Sequence, residues 1–226
     1  MKLIIFDVYG TLISTGTGSL DAVKKILALQ DSNINPEEFY KEWKKQHRIY
    51  MDNANKKAFM DEESIFERDL EQLYLKYEIC RDYSSDVKIM LDTLGKRNCF
   101  DETLAAIENL RKKYRVVIGS TTDNAPLYQD MDRNGLAVDA VYTSETIRRY
   151  KPAPEFYQYI LREEKCSSED AVFVGDSYVD DIQGPGRVGI KSILIDRKHN
   201  FCCEKVDYEP WAITDSLDKV MELLIN

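Results

Sequence analysis

The 226-residue sequence predicts an α/β protein that combines a mostly parallel β-sheet with an inserted helical-bundle domain. Two observations predict the sheet: short apolar runs recur along the chain, and segments with helical spacing separate them. A third observation predicts the insertion, because the pattern between residues 15 and 95 is helical throughout. The length suits one compact domain plus such an insertion.

The predicted strands are short apolar runs bounded by turn residues or charges, as expected for strands that are buried on both faces of a sheet. They span residues 3–6, 116–118, 140–142, 172–174 and 193–195. Apolar residues at helical spacing predict helices over 102–114 and 153–164. Strands that alternate with helices indicate βαβ units and therefore parallel pairing.

The inserted region contains four segments with helical spacing, over 19–30, 36–53, 61–77 and 85–97. We therefore assign residues 1–14 and 96–226 to the α/β core and residues 15–95 to a small helical domain. An insertion at the carboxyl end of a central strand lies over the crevice in which open α/β sheets bind ligands. The inserted domain is therefore predicted to act as a cap over that crevice.

The composition predicts a soluble globular protein, with 43% hydrophobic and 31% charged residues. A formal net charge of -9 argues against a nucleic-acid partner, because phosphates would be repelled. No apolar run approaches the ~18 residues that a membrane span needs. The five cysteines, which include the adjacent Cys202 and Cys203, show no disulfide or metal-binding pattern. Since the N-terminus also lacks a signal-peptide pattern, we expect a cytoplasmic protein without a membrane partner.

Polar and charged residues follow four of the predicted strands. Asp7 ends the first strand, Ser120 follows the second, Lys151 follows the third, and the segment GDSYVDD at 175–181 follows the fourth. Because the carboxyl ends of parallel strands meet at one edge of a sheet, these groups are predicted to lie close together. Each of them alone is a weak signal, because a carboxylate at a strand end is usually a turn or helix-capping residue and a lysine before proline is usually solvated, but their combination points to a shared site.

The chemistry of these groups is complementary. A carboxylate such as that of Asp7 is a competent covalent nucleophile. A hydroxyl and an ammonium can hold and neutralise a phosphoryl group. Two carboxylates, from Asp176 and either Asp180 or Asp181, can hold Mg²⁺, which prefers oxygen ligands. Such a metal lets an anionic nucleophile approach an anionic phosphate.

The order and spacing of these residues resemble the motifs of the haloacid dehalogenase-like (HAD) hydrolase superfamily along nearly the whole chain. The segment DVYGT at 7–11 resembles the first motif, Ser120 the second, YKPAP at 150–154 the third, and GDSYVDD the fourth. The helical insertion resembles the cap of the subfamily that places it between the first and second motifs. The resemblance implies a Rossmann-like three-layer sandwich, Mg²⁺ at the strand ends, and a cap that closes over a small-molecule substrate.

The resemblance also implies roles for single residues. The predicted catalytic residues are the nucleophile Asp7 together with Thr11, Ser120 and Lys151. Thr121 and the cap residue Lys44 are the predicted substrate-binding residues. The predicted metal ligands are all oxygen donors: Asp7, the backbone carbonyl of Tyr9, Asp176, and Asp181 with Asp180 as its alternative.

Position 9 departs from the pattern of most phosphatases in the superfamily, which carry an aspartate there as general acid and base. This chain has Tyr9, and an unperturbed tyrosine has a pKa of ~10, far from that of a good general base at neutral pH. The departure affects the acid–base step and leaves the metal site intact, because a backbone carbonyl can serve as a ligand whatever its side chain.

The branch of the superfamily that removes halide from 2-haloacids does carry tyrosine at this position, and a halide leaves without a proton. The segment WKKQHRIY at 43–50 resembles a segment of that branch, with Lys44 where the branch has an arginine. A lysine is not equivalent to a two-pronged arginine at a carboxylate. Tyr157 matches a further tyrosine of that branch. Aromatic packing explains Trp43, Tyr50 and Tyr157 at least as well.

The fourth motif points away from dehalogenation. That branch needs no metal and replaces the first acid of the motif with small polar residues, whereas this chain keeps Asp176 and Asp181. Closely spaced acids repel one another unless a cation or hydrogen bonds offset their charge. The retained acids therefore favour a metal-dependent reaction.

Three functions follow as hypotheses. The favoured one is a Mg²⁺-dependent phosphatase that acts on a small phosphorylated metabolite through an aspartyl-phosphate on Asp7. The second is a 2-haloacid dehalogenase in which Asp7 attacks the carbon that bears the halogen. The third is a non-catalytic binding protein on the same fold. Of the two histidines, His47 lies in the predicted cap and could line its pocket, but it is predicted to face solvent.

Overall fold

A computed structural model describes residues 1–30, 33–201 and 207–225 of the chain. Its strands are β1 (Leu3–Phe6), β2 (Arg115–Ser120), β3 (Ala140–Thr143), β4 (Ala171–Gly175), β5 (Lys191–Ile195) and β6 (Ala212–Thr214). They form one parallel sheet in the order β3-β2-β1-β4-β5-β6, which confirms the predicted α/β fold. Because β1 lies between β2 and β4, the residues after β1 emerge at the middle of the carboxyl edge of the sheet.

The helices of the described residues are α1 (Gly18–Ala28), α2 (Pro36–Lys56), α3 (Glu62–Lys76), α4 (Tyr83–Leu91), α5 (Thr103–Arg111), α6 (Asn124–Asn134), α7 (Ser144–Ile147), α8 (Pro154–Glu163), α9 (Gly184–Gly186) and α10 (Leu217–Ile225). A π-helical turn, Tyr178–Gln183, precedes α9. The predicted strands and helices all coincide with observed ones. The fourth cap helix is shorter than predicted, because it ends at Leu91 and the chain turns at Gly95, where φ is 69°. The pattern does not predict β6, which has three partly buried or exposed residues.

Side chains of the sheet alternate between two helical layers. On one face, Ile4 and Phe6 pack with residues of α5, α6 and α10. On the other face, Leu3 and Ile5 pack with residues of α8 such as Phe156. Burial of each large apolar side chain contributes about 1.5–3 kcal/mol, so a strand that is covered on both faces needs the unbroken apolar run seen in β1. This arrangement is the predicted three-layer sandwich.

Helices α1–α4 form a bundle with an apolar core of its own, to which each helix contributes buried side chains. Helix α2 begins with Pro36 after Asn35, and α3 begins after Asp61. Each of these two capping side chains accepts a hydrogen bond from the N–H of the third residue in its helix, at 3.0 and 2.9 Å, which satisfies one of the free donors of a helix start. The bundle lies inside the predicted cap, residues 15–95, and the division into two domains stays a prediction.

Helix α2 of the bundle is joined to the segment before α8 by a pair of hydrogen bonds between Asn55 and the backbone of Tyr150. The Asn55 Nδ2 atom donates to the Tyr150 carbonyl at 3.0 Å, and the Tyr150 N–H donates to Asn55 Oδ1 at 2.7 Å. The buried Tyr150 hydroxyl also donates to the carbonyl of Met60 at 2.8 Å. Because Lys151 follows Tyr150, the cap fixes the backbone next to a predicted catalytic residue.

A second junction lies at the start of α3. The Asp123 carboxylate, on the core, accepts hydrogen bonds from the N–H groups of Glu62 and Glu63 at 2.9 and 3.0 Å. The hydroxyl of Thr122 donates to Glu62 Oε2 at 3.0 Å. The loop after β2 therefore caps a helix of the inserted bundle, which holds that helix over the carboxyl edge of the sheet.

The described cysteines Cys80, Cys99 and Cys166 are free thiols. Cys202 and Cys203 lie outside the described residues. Among the described helices, none combines the length and the apolar character that crossing a membrane requires.

Candidate active site

Asp7 follows β1 directly, at the middle of the carboxyl edge of the sheet. Its N–H donates to the carbonyl of Val174 in β4 at 2.8 Å, so the backbone at this position is still held by the sheet. The buried Thr11 hydroxyl donates to Asp7 Oδ2 at 3.2 Å. The predicted nucleophile is therefore held by the strand before it and by the turn after it.

Lys151 connects Asp7 to the fourth motif. Its Nζ atom donates to Asp7 Oδ1 and to Asp181 Oδ1, both at 2.7 Å, and its side chain is 1% exposed. Burial alone would lower the pKa of this ammonium, but the charges of Asp181 and Asp7 outweigh burial and raise the pKa above its ordinary value. Lys151 is therefore a permanent cation between two carboxylates.

Asp176 completes an acidic group with Asp7 and Asp181. One carboxylate oxygen of each residue lies within 4.8 Å of the others. Asp181 is buried and accepts a hydrogen bond from the N–H of Ser177 at 2.9 Å. Desolvation, followed by the negative charge of Asp7, raises the pKa of Asp176 to about 7. The three acids thus come together as the sequence predicts, with more negative charge than Lys151 alone offsets.

The glycine of DVYGT is required by this proximity. A Cβ atom on Gly10 would lie 2.2 Å from Asp176 Oδ2, and the φ of Gly10 is +99°, a conformation that other residues rarely adopt. Gly10 therefore allows the loop after β1 to pass directly beside the Asp176 carboxylate.

Asp180 has a different role from its neighbour Asp181. Its two carboxylate oxygens accept from Nη1 of Arg48, on cap helix α2, at 2.9 Å each. The two adjacent acids therefore face different partners: Asp181 lies in the acidic group, and Asp180 contacts the cap. Arg48 is not among the residues that the sequence predicts for the site, and its position one helical turn after Lys44 is the only sequence signal for it.

The remaining predicted site residues lie at the sheet edge or in the cap. Ser120 is the last residue of β2 and is buried, and Thr121 follows it half-buried. Lys44 is exposed, with its ammonium 4.9 Å from the centre of the Tyr40 ring on the same helix. The predicted roles of Ser120, Thr121 and Lys44 stay predictions.

The side chain of Tyr9 is bound within the core. Its hydroxyl donates to Asp130 Oδ2 at 2.9 Å, and the guanidinium of Arg97 lies 4.5 Å from the centre of its ring. Burial, together with the charge and hydrogen bond of Asp130, raises the pKa of Tyr9 above its ordinary value. Tyr9 is therefore no acid–base group at neutral pH, as expected from the sequence, and the role of its carbonyl stays a prediction.

The aromatic residues that resemble the dehalogenase branch are packed in the interior. Trp43 is 1% exposed, lies in the cap core and donates from Nε1 to Asp69 Oδ2 at 3.2 Å. Tyr157 is fully buried against Phe173 and donates to the carbonyl of Asp180. The packing interpretation accounts for both residues.

The prediction that His47 faces solvent is wrong. Its Nδ1 atom donates to the fully buried Asp69 at 2.7 Å, and Nε2 lies 3.7 Å from Glu62 Oε1. Burial tends to lower the pKa of His47, but the hydrogen bonds to Asp69 and Glu62 outweigh it and raise the pKa to about 9. His47 is therefore an imidazolium at neutral pH. The sequence offered one signal, because His47 lies one helical turn after the buried Trp43.

The site combines a carboxylate at a strand end, a buried lysine and two further acids. A carboxylate in this setting is suited to nucleophilic attack, and the lysine is suited to neutralising an anion during it. The fold and site together define a hydrolase built on a Rossmann-like parallel sheet. The model of the haloacid dehalogenase-like hydrolase family matches residues 1–189, and the chain belongs to that family.

Solved structures of this fold extend over the whole chain. The L-2-haloacid dehalogenase RSc1362 is 17% identical with a TM-score of 0.84, over 100% of this chain and 99% of that one. The L-2-haloacid dehalogenase of Xanthobacter autotrophicus with covalently bound chloropropionic acid is 16% identical with a TM-score of 0.79, and the match covers 100% of this chain and 99% of that one. The magnesium-bound putative HAD-hydrolase YfnB from Bacillus subtilis is 17% identical with a TM-score of 0.81, and the match covers 100% of this chain and 99% of that one. At these identities the likeness shows the fold.

Proposed function

We propose that this protein is a Mg²⁺-dependent phosphohydrolase that acts on a small phosphorylated molecule through an aspartyl-phosphate on Asp7. The observation that carries the proposal is the acidic group at the strand ends. Asp7, Asp176 and Asp181 each offer a carboxylate oxygen, and these oxygens lie within 4.8 Å of one another. Carboxylate oxygens are the ligands that Mg²⁺ prefers.

The charge in this group supports a bound cation. Lys151 is shared between Asp7 and Asp181, and desolvation and Asp7 hold the pKa of Asp176 at about 7. Desolvation is the larger cause of this raised pKa, and the negative charge of Asp7, which Lys151 offsets in part, is the second. The donors therefore fit a divalent ion held by Asp7, the Tyr9 carbonyl and Asp176, with Asp181 beside them. When bound, Mg²⁺ would offset the charge of the phosphate.

The residues of the chain then carry the proposed reaction. An oxygen of Asp7 forms a bond to phosphorus while the bond between phosphorus and the ester oxygen breaks. Lys151 and the hydroxyls of Thr11 and Ser120 orient Asp7 and the phosphoryl group. Water then attacks phosphorus, and the bond to Asp7 breaks to give inorganic phosphate.

The position of the Tyr9 hydroxyl supports a restriction on the substrate. Because this hydroxyl is bonded to Asp130, position 9 supplies no proton to a leaving oxygen. We therefore expect aryl and acyl phosphates, whose leaving oxygens need no proton, to react faster than alkyl phosphates.

Phosphate release from aryl, acyl and alkyl phosphates, with Mg²⁺ and with chelator, tests the proposal. We expect release from aryl or acyl phosphates that requires Mg²⁺ and is lost in Asp7→Asn. Release that chelator leaves unchanged, or no release from any of them, contradicts it. Binding of beryllofluoride with Mg²⁺ to the wild type but not to Asp7→Asn, without turnover of any substrate, would instead support a binding protein.

A 2-haloacid dehalogenase is the second candidate, and the compared structures favour it, since two of the three described above are L-2-haloacid dehalogenases. The fixed Tyr9 side chain agrees with this reaction, because halide leaves without a proton. In this case Asp7 would form an ester to carbon as the carbon–halogen bond breaks. Halide release from 2-chloropropionate at a rate that chelator does not change would support this candidate, and the absence of halide release would exclude it.

A further inference from the structure

A chain of polar contacts in the cap ends above the strand ends. Asp69, which is fully buried, accepts from His47 Nδ1 at 2.7 Å, and His47 Nε2 lies 3.7 Å from Glu62. Glu62 in turn accepts from the Thr122 hydroxyl at 3.0 Å. The proposed reaction uses none of these groups, although a fully buried acid such as Asp69 is costly to keep.

Glu62 lies close to the loops that carry the proposed nucleophile and lysine. Its partner Thr122 is two residues after Ser120. Burial raises the pKa values of the Tyr9 and Tyr150 hydroxyls, and the negative charge of Glu62 adds to the rise in both. Tyr9 is two residues after Asp7, and Tyr150 directly precedes Lys151. Geometry gives the same placement: Glu62 is bonded to the loop after β2, and the hydroxyl of Tyr150 donates to the carbonyl of Met60, two residues before Glu62.

A cation and a hydroxyl donor both lie against the Glu62 side chain. His47 is positively charged at neutral pH, because Asp69 and Glu62 raise its pKa to about 9 despite its burial. Thr122 adds a hydroxyl donor to the same carboxylate. Unlike Asp69, whose side chain is fully buried, the Glu62 side chain is 16% exposed. The Glu62 side chain is thus fixed by its contacts with Thr122 and His47 and is still accessible to water.

We propose that Glu62 is the general base that activates water for hydrolysis of the covalent intermediate on Asp7, with His47 and Asp69 as positioning residues. The inference rests on the proposed function, and it supplies the proton acceptor that Tyr9 cannot be. The water oxygen forms a bond to phosphorus, the bond between phosphorus and the Asp7 oxygen breaks, and the water proton passes to a Glu62 oxygen. Solvent then takes the proton from Glu62.

Burst kinetics of Glu62→Gln with p-nitrophenyl phosphate and Mg²⁺ test the inference. We expect one equivalent of p-nitrophenolate to be released quickly, followed by a steady state slowed at least about 100-fold. Intact-protein mass spectrometry after an acid quench should find the phosphoryl adduct on Asp7 in this variant. His47→Gln should show a weaker form of the same defect.

The neighbouring Glu63→Gln is the matched control. It removes the same charge from the same turn of α3, but Glu63 is exposed, so we expect wild-type kinetics. Thr122→Val removes the hydroxyl contact and keeps the carboxylate, so we expect a small defect without accumulated adduct. A defect in Thr122→Val equal to that of Glu62→Gln would mean that the contact only holds the cap, and would overturn the inference.

Failure of the inference is distinguishable from failure of the proposed function. If the wild type turns over p-nitrophenyl phosphate and Glu62→Gln does so without burst or adduct, Glu62 is not the base and the proposed function stands. If the wild type turns over no phosphate ester, the proposed function fails and this inference fails with it.

Discussion

The hydroxyl of Tyr9 donates a hydrogen bond at 2.9 Å to Asp130, a fully buried residue of α6. The second oxygen of Asp130 accepts from the N–H of Arg97 at 2.7 Å, so both oxygens of this buried acid have donors. The side chain beside the proposed nucleophile therefore stabilises the core. In the proposed reaction, proton transfer then needs another group.

Tyr9→Phe is expected to reduce the free energy of unfolding by about 1–3 kcal/mol, because one oxygen of a buried carboxylate loses its donor. Its turnover should stay close to that of the wild type, since the hydroxyl takes no part in the reaction. Denaturant unfolding and phosphate release measure the two effects. The control is Tyr128→Phe, at an exposed position of α6, the helix that carries Asp130, and it should leave the free energy of unfolding unchanged. Loss of turnover in a folded Tyr9→Phe protein would contradict the prediction that the Tyr9 hydroxyl contributes to stability and not to the reaction.

Mg²⁺ is expected to raise the melting temperature of the wild type, because a ligand that binds only the folded state stabilises it, by about 2.7 kcal/mol at a concentration 100 times its Kd. The effect should weaken as the pH falls below about 7, where protons compete for Asp176. Asp176→Asn should abolish the shift in thermal melts. Asp180→Asn should keep it, because Asp180 contacts Arg48. Equal losses in both variants would place the ion elsewhere.

The unfolding free energy is expected to fall as the pH rises from 6.5 through about 9. The folded-state pKa of His47 is raised to about 9, so its charged form stabilises the fold fully below the unfolded value of 6.5, and this contribution is lost as the pH passes the folded value. The loss should be on the order of 3 kcal/mol. The unfolding free energy of His47→Gln should not fall over this pH range, whereas that of His199→Gln, changed at an exposed position, should fall as in the wild type. Identical slopes in both variants would refute the assignment.

Asn55→Ala is expected to loosen the junction between cap and core, because it removes both hydrogen bonds to the backbone of Tyr150. Two such bonds contribute about 1–3 kcal/mol together, so the Tyr150 amide should exchange with solvent at least about 10-fold faster. Hydrogen exchange followed by NMR measures this rate. Asn53→Ala, at an exposed position of the same helix, should leave the rate unchanged. An unchanged rate in Asn55→Ala would show that the junction does not limit opening.

The parts of the fold that the sequence predicted depend on local patterns. The buried strands are short apolar runs, and parallel pairing alone brings Asp7, Lys151 and Asp176 to one edge. The parts that it missed depend on contacts between distant positions. Asp69 is 22 residues from His47, and Asp130 is 121 residues from Tyr9. Because most polar residues on helices face solvent, a local pattern predicts an exposed His47, and only its distant buried partner Asp69 shows otherwise.

The contact between Tyr9 and Asp130 also constrains the evolution of this protein. Exchanging Tyr9 for the aspartate that most phosphatases of the superfamily carry would leave a cavity and a buried carboxylate without its hydroxyl donor. Replacing Asp130 first would leave a buried hydroxyl without its acceptor. Each single step therefore passes through a less stable protein, so the two positions are epistatic. Lineages that change the residue beside the nucleophile are expected to carry a matching change on α6, 121 residues away in the chain.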